Sequence, residues 1–156
     1  MAFFTGKGDK GKTTLFGCDQ KISKSSSIAE ALGSMDEANS FLGFAKLRSR
    51  EAGFAVKDGL KFDELVHDMQ RTLFIIQAEL AGAPMTVEEK KVRDMEAIIK
   101  NIETELPPIH SFFISGGTEL SSLFDFARTL ARRAERRVTA VAEEGERKMG
   151  EHTLAY

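Results

Sequence analysis

One cysteine, three prolines, no long apolar run and almost no excess charge mark what this chain does without. Each shortage closes an option. Cys18 alone cannot form an internal disulfide, and nothing around it in sequence suggests a catalytic nucleophile. No stretch approaches the ~20 apolar residues that span a bilayer, and the N-terminus has neither the basic nor the apolar region of a signal peptide. A cytoplasmic protein without membrane contact is the expectation. A net charge of −2 over 156 residues lacks the basic excess of a general nucleic-acid binder. His67, His110 and His152 stand apart from one another and from Cys18, so metal-ligand spacing is absent.

What remains is one domain of ordinary composition, 42% hydrophobic and 29% charged, with enough apolar residues for a sizeable core. After a Gly- and Lys-rich opening, Ser25-Ser26-Ser27 offers N-cap hydroxyls. Ile28, Leu32, Met35, Asn39 and Leu42 then recur at spacings of three and four. The same spacing returns in Phe62, Val66, Met69, Leu73, Ile76 and Leu80, and again in Val92, Met95, Ile99 and Ile102. Leu106-Pro107-Pro108 ends that third helix, because proline disfavours helix in the residue before it and has no N–H to donate. A fourth helix opens near Gly116-Gly117-Thr118 and carries Leu120, Leu123, Ala127, Leu130, Ala134, Val138 and Val141. A repeat close to 3.5 residues implies helices crossing at small angles, and no period-two pattern competes with it. The fold class read from this is all-α, a helical bundle over residues 25–156 preceded by a glycine-rich segment, 1–24.

Three features go beyond a bundle. Arg128, Arg132, Arg133, Arg136 and Arg137 fall within ten residues of the fourth helix, and like charges three or four apart repel unless anions lie nearby. A solvated basic face, offset by Glu135 and Glu143, is the alternative. Gly6-Lys7-Gly8-Asp9-Lys10-Gly11-Lys12-Thr13 matches the phosphate-loop pattern G-x-x-x-x-G-K-[ST], but no strand long enough precedes it and Gly17 follows too soon for the helix that a true P-loop requires. Its glycines, lysines and the hydroxyls of Thr13 and Thr14 still suit an oxyanion; a flexible basic N-terminus is the competing reading. The connection Ile109-His110-Ser111-Phe112-Phe113-Ile114-Ser115 is apolar, hence either a buried segment packed on the bundle or the aromatic wall of a pocket. Asp36, beside Met35 at the edge of the first seam, belongs either to a solvated acidic patch or to a pair with a neighbouring helix or chain.

Three ordered stretches resemble the PduO-type ATP:cob(I)alamin adenosyltransferases over nearly the whole chain: Thr5 to Gly17 with Ile22-Ser23-Lys24, Glu30 to Phe41, and Phe112 to Thr118 followed by Ala127 to Arg137. The resemblance implies a homotrimer of helical bundles. In the implied reaction, the cobalt(I) of reduced cobalamin attacks the 5′ carbon of ATP and triphosphate leaves, with Mg2+ assisting. It assigns ATP binding to Thr5, Gly6, Lys7, Gly8, Thr13, Thr14 and Lys24 of one subunit and to Arg132, Arg133, Glu135 and Arg136 of the next. It pairs Asp36 with Arg128 across the subunit boundary. It gives Phe112 the task of keeping the lower axial ligand off cobalt, which makes the cobalt(II) precursor easier to reduce. A flavoprotein reductase and a cobalamin-dependent enzyme are the further partners it implies. Lys7 and Lys12 stand where the family commonly has threonine, and Ser115 where proline is usual. Family members also continue beyond His152-Thr153-Leu154-Ala155-Tyr156 into a further helix with an ATP-contacting asparagine, so the final family helix is expected to be absent from this chain. Two other functions fit some of these features: a non-catalytic ATP-binding cobalamin carrier or sensor, and a P-loop-like NTPase.

Overall fold

The computed structural model describes residues 6–56, 59–108 and 110–156. Its centre is α1, Ser27–Ala52, an uninterrupted helix of 26 residues. The Ser26 hydroxyl caps it by accepting the Ala29 N–H, one of the donors a helix start leaves unpaired. Gly53 ends it at φ 64°, a left-handed conformation that costs glycine little, and returns its N–H to the Arg50 and Ser49 carbonyls.

Helix α1 packs against α2, Phe62–Leu80, on one flank and against α4, Glu119–Glu143, on the other. Small residues allow this double contact: Ala31, Ser34, Ala38, Ala45 and Ser49 are all buried along α1. Two core clusters result. Ile28, Ala31 and Met35 meet Ile76 and Leu80 of α2 and Ala134, Val138 and Val141 of α4 in the first. Leu42, Val66 and Ala127 form the second, surrounded by a chain of edge-to-face phenylalanines. Phe41 meets Phe126 at 4.8 Å between centroids, and Phe62 meets Phe124 at 5.1 Å. Helix α4 starts at Thr118, whose hydroxyl accepts the Ser121 N–H while the Ser121 hydroxyl accepts the Thr118 N–H, a reciprocal capping box.

The third helical seam turns out differently. Helix α3, Glu89–Glu105, forms as its spacing predicts, yet none of its residues is buried and Ile99 is half-exposed. Amphipathic periodicity reports a face that could be covered, not that anything covers it.

Two short strands accompany the helices. Lys12–Thr14, β1, pairs antiparallel with Lys21–Ser23, β2, in the register Thr13 opposite Ile22. Because Lys12 and Thr13 lie in a strand, the segment cannot present the helix N-terminus of a P-loop; that NTPase reading is overturned.

At the C-terminal end, Gly150 opens a helix where none was expected, α5, Glu151–Ala155. It is tied down from within. The buried Glu79 carboxylate accepts the Gly150 N–H at 2.6 Å and the Thr153 hydroxyl, and Thr153 in turn accepts the Val87 N–H at 3.3 Å. Tyr156 packs against the first core cluster, its hydroxyl buried without a hydrogen-bond partner. Burial pushes the phenol above its ordinary value. Below about pH 10, the ordinary tyrosine value, folded and unfolded chains are equally protonated at this residue. Above it the unfolded chain ionises first, so stability should fall as the pH climbs towards the higher folded value. Melting curves of wild type and Tyr156→Phe should therefore diverge above about pH 10, with the variant keeping more of its stability; parallel alkaline limbs would contradict the burial of this ring.

Candidate functional site

The five arginines of α4 do not form one solvated face. At about 100° per residue, Arg133 and Arg137 share the side that faces α1, Arg128 and Arg132 lie together on the next side, and Arg136 falls between. Their partners follow this division. Arg133 pairs with Glu37 and Arg137 with Glu30, the latter at 3.8 Å, both reaching across to α1. Arg132 pairs within its own helix with Glu135 at 2.6 Å, and Arg128 with Asp125 at 3.4 Å. Among the described residues, no carboxylate pairs with Arg136. The glutamates Glu30, Glu37 and Glu135 thus offset more of the charge than the sequence suggested, but they do not neutralise it.

Between α1 and α4 runs an open cleft of about 620 Å³, lined by Glu37, Ser40, Phe41, Phe126, Thr129, Leu130, Arg133 and Arg136. Phenylalanine and leucine supply apolar surface, and the Arg133 and Arg136 guanidinium groups line it beside them. A cleft of this make-up accepts a molecule with an apolar body and an anionic part. Sequence reasoning named Arg133 and Arg136 but missed Glu37, Phe41 and Phe126 as site residues. The available signal was the second period: 37, 40 and 41 on α1, and 126, 129, 130, 133 and 136 on α4, each recur at helical spacing beside the buried seam.

The glycine-rich segment lies at the head of α1. Gly6 and Gly11 adopt φ of 64° and 72°, and turns are closed by Asp9 N–H to the Gly6 carbonyl and Gly11 N–H to the Gly8 carbonyl. The Lys24 N–H reaches the Gly11 carbonyl at 3.0 Å, folding the two ends of the segment together. Above Gly8 sits the Lys24 ammonium: a Cβ at position 8 would lie 3.0 Å from its Nζ. Lys7 and Thr14 are exposed and Thr13 is half-buried. The Lys24 ammonium thus lies over the Gly8 backbone, a pairing of cation and glycine turn suited to phosphate oxygens, with Thr13 and Thr14 following in β1. Thr5 lies outside the described residues.

No hydrogen bond or ion pair among the described residues joins this segment to Arg132, Arg133 or Arg136 of the same chain. Asp36 is exposed and does not pair with Arg128, which is held by Asp125. The connection carrying Phe112 is not the buried segment that one reading allowed. Phe112, Phe113 and Ile114 are 104%, 77% and 96% exposed, because this stretch runs from the end of α3 to the Thr118 cap without crossing the core. Ile109 lies outside the described residues. Among those residues, no group of three or more His, Cys, Asp or Glu side chains is gathered to hold a metal, and no helix is long and apolar enough to cross a membrane.

Residues 3–156 match the family model of the cobalamin adenosyltransferases. The chain belongs to that family. Among adenosyltransferase relatives, the corrinoid adenosyltransferase PduO of Citrobacter freundii is 34% identical over 151 residues, covering 92% of this chain and 42% of the relative. The chain thus spans less than half the length of that protein. The Bacillus subtilis (strain 168) corrinoid adenosyltransferase is 34% identical over 158 residues, covering 94% of this chain and 75% of its own. In three dimensions, a variant PduO-type ATP:corrinoid adenosyltransferase from Lactobacillus reuteri, solved with cobalamin and ATP, superposes with a TM-score of 0.84. It is 26% identical and aligns over 99% of this chain and 84% of its own.

Proposed function

We propose that this chain transfers the 5′-deoxyadenosyl group of ATP to cob(I)alamin, giving adenosylcobalamin and triphosphate. Membership of the adenosyltransferase family carries the reading, and the cleft lined by phenylalanines and arginines supports it. In the proposed step the cobalt–carbon bond forms with the electron pair of cobalt(I) as the bond from the 5′ carbon to its phosphate oxygen breaks. The departing oxygen takes the electron pair of the broken carbon–oxygen bond away with it as triphosphate, so negative charge grows on the leaving group.

The proposed tasks of the chain's residues follow from that charge. Gly6, Lys7, Gly8, Thr13, Thr14 and Lys24 hold the phosphates of ATP through backbone N–H groups, hydroxyls and ammonium groups, with Thr5 assigned beside them by family likeness. Arg132, Arg133 and Arg136 receive the triphosphate, since a guanidinium presents paired donors to phosphate oxygens, and Glu135 holds Arg132 in place. Within one chain the two groups are not bonded to each other, which favours a site completed by a second copy in a homotrimer. There Asp36 would exchange into a pair with Arg128 across the boundary. Phe112, bare in the single chain, supplies an apolar surface beside the corrinoid that excludes its lower axial ligand. Magnesium fits this site as a companion of the nucleotide. With no three-ligand cluster among the described residues, its ligands would be chiefly phosphate oxygens and water, the usual habit of this ion. A flavoprotein reductase and a cobalamin-dependent enzyme complete the proposed partners, one supplying reduced cobalamin and the other using the product.

Incubation with ATP, magnesium and chemically reduced cobalamin should yield adenosylcobalamin and triphosphate in equal amounts. Tight ATP binding with no product would replace this reading with a carrier or sensor.

A further inference from the structure

Glu37 stands where a purely attractive phosphate site would not place a carboxylate. It lines the cleft together with Arg133 and Arg136 and binds Arg133 directly, from a different helix. Nor is it alone. Glu30 lies seven residues earlier, two turns up the same face of α1, and meets Arg137, one turn further along α4. The two antiparallel helices are thereby cross-tied by two rungs, of which only the lower one opens onto the cleft.

The bond pattern suggests a purpose. Glu37 takes Nη2 of Arg133 through a single carboxylate oxygen. Arg133 keeps Nε and Nη1 without a partner among the described residues; each shares a two-donor edge with Nη2, so Glu37 takes one edge of the guanidinium and leaves the other to grip a phosphate. A free arginine gives up much rotamer freedom when it closes on an anion, and a side chain already held gives up less. Against this stands repulsion between the Glu37 carboxylate and the incoming phosphates. Both groups lie in an open cleft, where the high dielectric of water weakens this repulsion. The gain in orientation is taken to be the larger effect. We infer that Glu37 is a positioning residue for nucleotide binding: it acts through Arg133, holding one end of the guanidinium so that the other faces the polyphosphate of ATP. The inference rests on the proposed adenosyltransferase reading of the same cleft.

The test combines ATP-binding calorimetry with steady-state turnover for Glu37→Gln and Glu37→Ala, each made also on an Arg133→Ala background. Glu37→Ala should weaken ATP binding about five- to tenfold, and Glu37→Gln, which keeps a hydrogen-bond acceptor, by less. The KM for ATP should rise with kcat within about twofold, and the melting temperature should stay within about 2 °C of wild type, which a merely structural role would not allow. On the Arg133→Ala background neither substitution should weaken binding further. Tighter binding by either variant would show that repulsion wins and overturn the proposal; so would an equal loss on both backgrounds, or no loss in an otherwise active enzyme. If wild type neither binds ATP nor forms adenosylcobalamin, the functional reading fails and this inference with it.

Discussion

Arg132→Ala should abolish adenosyl transfer, lowering turnover by at least about 10²–10³-fold while leaving the bundle folded. The two halves of that expectation have separate grounds. Arg132 is well exposed and, among the described residues, its one ion pair is with Glu135, three residues along the same helix. Exposed pairs of this kind contribute little to stability, so the melting temperature should barely move. Turnover is another matter, because donors aimed at a departing polyanion act most strongly when its charge is greatest, in the transition state. Adenosylcobalamin formation followed by its absorbance change, beside a thermal melt of the same sample, checks both halves. A fully active variant would remove Arg132 from the site, and an inactive but unfolded one would show that the helix needs this side chain for its structure.

Gly150→Ala should destabilise the fold severely, although it adds a single methyl group. The backbone is not the reason: at φ −66° alanine is as comfortable as glycine. Space is. A Cβ at this position would collide with the Thr86 hydroxyl and lie 3.2 Å from a Glu79 oxygen and 3.4 Å from the Thr153 hydroxyl. Glu79 and Thr153 form the buried network that docks α5, and Thr86 bonds to Thr153 at its edge, so relief of the clash would disturb hydrogen bonds to a buried carboxylate. Overpacking typically costs about 1–3 kcal/mol, and unpairing a buried polar group adds about 1–3 kcal/mol. At roughly 2–4 °C per kcal/mol for a domain of this size, the melting temperature should drop by about 4–24 °C. Removing the opposing hydroxyl in Thr86→Ala/Gly150→Ala should restore part of the loss, since the two sites share one volume. A Gly150→Ala protein that melts with wild type would mean that the C-terminal segment is not seated against Glu79.

Much of the architecture is legible in the chain because a helix that buries one side must repeat its apolar residues every three or four positions. Ile28, Met35 and Leu42 mark α1 in this way, and Ala127, Ala134, Val138 and Val141 mark α4. The caps are legible for a local reason: Ser26 and Thr118 bond to groups only three residues away. What is not legible depends on distance along the chain or on relative rotation. Glu79 and Thr153 are 74 residues apart, and nothing local in either announces the other. The cleft is formed by the side of α1 next to its buried seam, and only the rotation of α4 brings Phe126 and Arg133 opposite Phe41 and Glu37. The loop from Ser111 to Ser115 misleads in the opposite sense, since apolar composition predicts burial but the covalent path keeps Phe112 at the surface. Among the assigned arginines, the sequence pointed to the group as a whole, whereas the division between those tied to α1 and those tied within α4 required coordinates.

Packed on both flanks, α1 has one narrow strip left to show the outside, and that strip changes character from top to bottom. Glu30, Asp36 and Glu37 come first, opposite Arg137 and Arg133; Phe44 and Leu47 follow, with Phe126 on the facing helix. Beyond them the charge returns: Arg48 lies over the Phe44 ring and pairs with Glu51 and Glu119. Apolar surface on this helix is therefore bracketed by ions at both extremities, which confines a hydrocarbon guest to the middle of its length.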